Sequence, residues 1–192
     1  EMKGIGLLEV CNPSGIFLSD RPKEAAGSVV IACAEGERTL LVELQALVTS
    51  SYLGTARRTT LGVDPSRVSL LVAVLEKRAG LHLAGQDIFV NLVSGIESDE
   101  PAIDLGLALC IASSFRDRPI NSSTVVFGEI DLLGGIRPVA NAKQRVYEAQ
   151  KLGFTRCILP LRNKEVLSRE EGSPFTIELI GISHITEALQ LI

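Results

Sequence analysis

The residues of this chain that could carry chemistry are four cysteines, two histidines and an uneven spread of charge. Cys11, Cys33, Cys110 and Cys157 lie far apart, and none belongs to a CxxC pair. Metal-ligand spacing is therefore missing, and buried free thiols are the expected state. His82 and His184 stand singly near a loop and a helix start, so chemistry that needs a histidine base has little support. Five acidic residues and no basic one fall between Asp87 and Asp104. Between Arg137 and Arg169, eight basic residues face only Glu148 and Glu165. The net charge of −4 gives no overall attraction to nucleic acid, so any such contact must come from local clusters.

The elements that must position these groups can be read along the chain. Its 192 residues suffice for one large domain, and 46% hydrophobic with 22% charged residues is a globular balance. No apolar run approaches the roughly 18–20 residues of a membrane helix. The start, Glu1-Met2-Lys3-Gly4-Ile5, lacks signal-peptide order and an initiator methionine, so a domain of a longer intracellular protein is expected. Residues 1–26 mix Gly, Pro and Ser and are expected to form an entry arm, with one domain over 27–192. Apolar runs at 27–34 and 39–49 around Glu35-Gly36-Glu37 predict a β-hairpin. A third strand is expected at 57–63.

Asp64 can cap a helix that Pro65 opens, with Val68, Leu71, Val72 and Leu75 at helical spacing until Gly80. A strand at 87–94 and a loop at 95–100 lead to a nearly all-apolar helix from Pro101 to about Phe115. Such a helix must be buried on most sides. Strands follow at 124–130 and 135–139, then a helix at 141–152 and a strand at 156–160. A short helix at 163–167, a strand at 176–180 and a terminal helix at 183–191, capped by Ser183, complete the chain. A hairpin-led first half followed by alternating strands and helices predicts one α/β domain without simple doubly wound order.

Three ordered stretches resemble the proteolytic domain of the Lon family. The first is Ile96-Glu97-Ser98-Asp99-Glu100-Pro101-Ala102-Ile103-Asp104-Leu105-Gly106. The second is Phe127-Gly128-Glu129-Ile130-Asp131-Leu132-Leu133-Gly134-Gly135-Ile136-Arg137-Pro138-Val139. The third joins Ala142-Lys143-Gln144-Arg145 to Ala149, Gly153 and Cys157-Ile158-Leu159-Pro160. Further pieces, including Cys11-Asn12-Pro13-Ser14-Gly15, Leu41-Val42-Glu43-Leu44-Gln45, Arg57-Arg58 and Arg116-Asp117-Arg118-Pro119, are similar to the RadA/Sms repair family. Together they extend the resemblance over nearly the whole chain.

The resemblance implies a Lon-protease-like domain of the ribosomal-protein-S5-domain-2-like type, with mixed sheets and packed helices. It implies a bacterial, cytoplasmic protein that forms six-membered rings and acts in homologous recombination, in branch migration and the processing of recombination intermediates. Its partners would be other copies of itself, single-stranded or branched DNA, and a recombinase. ATP with magnesium, and zinc, belong to domains ahead of this one. No phosphate loop of the Gly-x-x-x-x-Gly-Lys-Ser/Thr type is present, so no cofactor or metal is expected here.

Lon-type proteases pair a serine at a helix start with a lysine whose proton is loosened by desolvation. Aligning the family motif on Pro101 puts Ala102 at the serine position and Lys143 at the lysine position. A methyl group cannot attack a carbonyl, so a vestigial dyad without peptidase activity is expected. Two other readings stay open: a peptidase using Ser98, or the more distant Ser94, with Lys143; and an assembly module that never touches DNA. Asp104 needs a partner if buried, and Lys143 is the candidate. Arg57, Arg58, Lys77, Arg78, Arg145, Lys151 and Arg156 are the candidate phosphate contacts. Six Phe, two Tyr and no Trp leave little for base stacking.

Overall fold

A computed structural model describes residues 2–3, 6–7, 13–18, 21, 24–36, 38–51, 55–93, 95–169 and 175–192. Strands β1 (Met2–Lys3) and β2 (Gly6–Leu7) pair antiparallel ahead of the short helix α1 (Pro13–Phe17). The expected hairpin follows as β3 (Ser28–Glu35) and β4 (Arg38–Ser50), with Glu35 opposite Arg38. Aliphatic residues occupy both faces of it: Val29, Ile31 and Cys33 enter one buried cluster, Val30 and Ala32 the other. Ser14 of α1 is buried, accepts the Leu41 N–H at 3.1 Å and donates to Glu148 at 3.3 Å, so part of the arm is fastened to the sheet.

Next come β5 (Arg58–Leu61), α2 (Pro65–Ala79) and β6 (Gln86–Leu92). The α2 ends follow the local code: Asp64 accepts the Ser66 N–H at 3.0 Å, and Gly80, with φ 69°, donates to the Leu75 carbonyl. A 3-10 turn (Pro101–Ile103) runs into α3 (Asp104–Arg116), whose residues from Asp104 to Ser113 are all buried. Gly106 lets this helix approach the sheet, because a Cβ there would lie 2.2 Å from Ile31 Cγ2. The remaining elements are β7 (Thr124–Val126), β8 (Glu129–Ile130), β9 (Ile136–Arg137), α4 (Ala142–Lys151), β10 (Arg156–Pro160), α5 (Leu161–Arg169), β11 (Glu178–Ile182) and α6 (Ile185–Ala188).

Seven strands form one sheet in the order β11-β10-β7-β3-β4-β6-β5. Only β4 runs against its neighbours, so the other six strands point the same way. Residues of α2, α3 and α6 bury one face, and residues of α4 and α5 bury the other over β3, β7, β10 and the start of β4. The protein is thus α/β, with a mixed sheet between helices.

Two local expectations are corrected. The expected strand at 124–130 divides into β7 and β8, because Gly128 leaves the ladder to exchange backbone bonds with the helix start: its N–H donates to Ala102 at 2.7 Å, and its carbonyl accepts from Leu105 at 2.9 Å. β8 then pairs only with β9. At the carboxy terminus Ser183 lies in a bend after β11, and its carbonyl accepts the Ile136 N–H at 2.8 Å. The cap falls to His184, which accepts from Thr186 N–H, and α6 is short. No helix among the described residues is long and apolar enough to cross a membrane.

Candidate functional site

Ala102 is 1% exposed in the 3-10 turn, where its carbonyl is taken by Gly128. The Leu105 N–H at the start of α3 is spent on the Gly128 carbonyl, so this helix-start donor is already engaged. Lys143 lies on the exposed side of α4. Ser98 is held beside β5: its N–H donates to the Gly62 carbonyl at 2.9 Å, and its Oγ accepts from Glu100 N–H at 3.4 Å. Ser94 lies outside the described residues.

Asp104 pairs with Arg67, not with Lys143. Its Oδ1 accepts from Arg67 Nη1 at 2.7 Å, and its Oδ2 accepts from Ile130 N–H at 3.2 Å. The cause is packing: α2 lies along α3 and sets its first turn against that of α3, whereas α4 belongs to the other face. Burial pushes the Asp104 carboxyl up, against the pull of Arg67 and the Ile130 N–H.

Arg145 is also corrected: it is fully buried and is no surface cation for phosphate. Its guanidinium pairs with the Glu100 carboxylate, donates to the carbonyls of Ala32 at 2.5 Å and Ala140 at 3.1 Å, and stands 5.7 Å from the centroid of the Phe127 ring. Glu100 in turn accepts the Ala34 N–H at 2.7 Å, so one arginine ties α4, β3 and the loop before α3 together. A signal existed in the sequence: Ala142, Arg145, Val146 and Ala149 share one buried stripe at helical spacing.

The other basic candidates gather at one end of the sheet. Six strands start there, and the helices that return between them end there, so strand starts and last helical turns meet. Arg57 and Arg58 lie at the start of β5, Lys77 and Arg78 in the last turn of α2, Lys151 in the last turn of α4, and Arg156 at the start of β10. Arg116 and Arg169, not foreseen as candidates, occupy the last turns of α3 and α5. Cations also suit helix carboxyl ends for dipole reasons alone.

These side chains differ in availability. Arg58 is committed to the backbone, donating to the carbonyls of Gln86 at 2.5 Å and Leu83 at 3.3 Å. Arg57 is 57% exposed and lies 3.7 Å from Asp87; Lys151 is 3.7 Å from Glu148, and Arg156 is 3.3 Å from Glu178. Lys77 and Arg78 are exposed. Arg21, also missed, donates to the Ser122 carbonyl at 2.8 Å at the same end, and burial lowers its pKa. Cys33, Cys110 and Cys157 are buried thiols, and burial pushes the last two up, which suppresses thiolate chemistry; Cys11 lies outside the described residues. Among the described residues no group of three or more His, Cys, Asp or Glu could hold a metal ion.

Fold and site define a mixed α/β domain with a basic end. A family model described as "Subunit ChlI of Mg-chelatase" matches residues 56–163. The chain is 52% identical over 191 residues to "DNA repair protein RadA" of Halalkalibacterium halodurans, covering 100% of this chain and 41% of that protein. Proteins of the same description from Bacillus subtilis (48% over 190 residues; 99% and 41%) and Streptococcus pneumoniae (46% over 190 residues; 99% and 44%) agree. The chain belongs to the RadA family of DNA repair proteins and carries the ChlI-type domain. It spans about two fifths of the length of these relatives.

Proposed function

We propose that this chain is a Lon-protease-like domain of the ribosomal-protein-S5-domain-2-like type, spanning 27–192 behind the arm 1–26, and that it serves as a non-proteolytic assembly scaffold and DNA platform. The observation that carries the reading is the gathering of Lys77, Arg78, Lys151, Arg156 and Arg57 at one end of the sheet. A six-membered ring would repeat that end six times around one axis and offer phosphates a continuous, sequence-independent track. In the whole protein, ATP with magnesium and a zinc motif act in other domains, and the work is branch migration and processing of recombination intermediates in the bacterial cytoplasm, on single-stranded or branched DNA, with a recombinase.

Absence of cleavage is part of the proposal. Ala102 offers no nucleophile, and the Leu105 donor at the helix start is already bonded. The test combines two assays on one preparation: anisotropy of a labelled single-stranded oligonucleotide, and casein hydrolysis. Salt-sensitive binding without cleavage is expected. Cleavage that disappears in Ser98→Ala and in Lys143→Ala would replace this reading with an active Ser–Lys peptidase. Assembly without DNA binding at low salt would leave only the assembly module.

A further inference from the structure

Two apolar surfaces lie on opposite faces of the sheet. The first is the turn between β8 and β9, where Leu132 and Leu133 are 66% and 65% exposed, beside Leu70 of α2. This turn is held from several sides. The Asp131 carboxylate accepts the N–H groups of Leu133 and Gly135, both at 2.9 Å, and pairs with Arg137 at 2.7 Å. Arg78 Nε donates to the Leu132 carbonyl at 3.5 Å, and His184 Nε2 lies 3.2 Å from the Leu133 carbonyl. Two leucines are therefore presented on a turn whose ordering cost is met within the fold.

The second surface is an open trough of about 360 Å³ on the face opposite α2, lined by Leu47, Thr59, Leu61, Phe89 and Asn91 among others. Leu47 and Leu61 are 60% and 63% exposed, because α4 and α5 do not extend over β5, β6 and the end of β4. Charges complement one another around the two surfaces. Exposed Arg78 and Arg137 flank the leucine turn. Exposed Glu97 and Asp99 line a recess at the end of β5, next to Leu61, with no cation among its described lining residues.

We propose that the leucine turn of one copy of this chain seats in the trough of the next copy, with Arg137 meeting Glu97 and Asp99 across the contact. An apolar centre with a charged rim is the usual anatomy of such a contact. The two surfaces differ and lie on opposite faces, so the contact is head-to-tail, the kind that closes into rings. This inference rests on the assembly reading above and supplies its chemistry.

Sedimentation velocity across micromolar concentrations tests it with wild type, a turn variant (Leu132→Glu/Leu133→Glu) and a trough variant (Leu47→Glu/Leu61→Glu). All four leucines are exposed, so circular-dichroism melting should match wild type. Wild type should assemble, and each variant should associate at least about thirtyfold more weakly. An equimolar mixture of the two variants should give one-to-one dimers and nothing larger, since one sound turn and one sound trough remain. Glu97→Lys/Asp99→Lys, which alters exposed residues only, should weaken assembly as well. If wild type assembles and the turn or trough variant assembles equally, or the mixture stays monomeric, this contact is wrong while assembly stands. Unchanged assembly of the Glu97/Asp99 variant overturns the charged rim. Wild type that stays monomeric throughout overturns the assembly reading and this contact together.

Discussion

At the scale of single residues, the two most consequential side chains are charged groups that the fold has taken out of solvent. Arg145 has no surface to offer, and its Glu100 partner keeps 23% of its side chain exposed. Removing one member of such a pair strands the other, so Arg145→Ala should destabilise the chain by about 3 kcal/mol in urea denaturation. Unchanged stability with loss of DNA binding would return Arg145 to the surface role. Arg58→Ala should cost roughly 1–2 kcal/mol, discounted for partial exposure, through lost bonds to the carbonyls of Gln86 and Leu83. Any loss of DNA binding in that variant must therefore be read beside its melting curve. Asp104 adds a pH dependence. Its carboxyl holds a proton more tightly folded than unfolded, so stability falls as pH rises from the ordinary carboxylate range through the raised value. Asp87, held down first by the Arg57 N–H, loses its stabilising share in the opposite direction, as pH falls through its lowered value. Asp131 behaves likewise: burial pushes it up, but the Gly135 and Leu133 N–H groups and Arg137 outweigh burial. Calorimetric melting at stepped pH should show this decline with rising pH in wild type and a flatter profile in Asp104→Asn; an identical decline would remove Asp104 as its source.

At the scale of elements, what was legible depended on how local the cause is. The hairpin β3–β4 and the helix α2 follow from patterning, Asp64, Pro65 and Gly80, all within their own segments. The division of the expected 124–130 strand comes from Ala102, more than twenty residues earlier, and no pattern inside the segment announces it. The same reason hides the Arg67–Asp104 pair, whose members are 37 positions apart and meet only because α2 packs on α3. Nearly uninterrupted burial of α3 was readable from its apolar composition, but the intimacy of its contact with β3 was not. Gly106→Ala tests that contact, since the new methyl would start 2.2 Å from Ile31 Cγ2. Overpacking of this kind should cost about 1–3 kcal/mol in thermal or urea unfolding. Ala at 106 with wild-type stability would mean that α3 moves away freely.

At the scale of the whole molecule, topology arranges the charges. Six co-directional strands with returning helices bring strand starts and helix ends together, so residues scattered from Arg57 to Arg169 become neighbours of one surface. The sequence showed the basic half but could not show that Arg145 turns inward or that Arg116 and Arg169 join the end. It also could not distinguish cations engaged by Asp87, Glu148 and Glu178 from those that face solvent.

The central claim is that this end carries DNA phosphates, and the salt dependence of single-stranded DNA affinity measures it most directly. Lys77→Ala/Arg78→Ala/Lys151→Ala should reduce the magnitude of the slope of log K against log salt by about two units, since each single-strand phosphate contact contributes about 0.7. The loss should be similar for oligonucleotides of different sequence. Arg162→Ala/Lys164→Ala, in the first turn of α5 at the opposite end, should leave the slope as in wild type. A slope unchanged by the triple variant, or lowered as much by the α5 variant, would contradict the account.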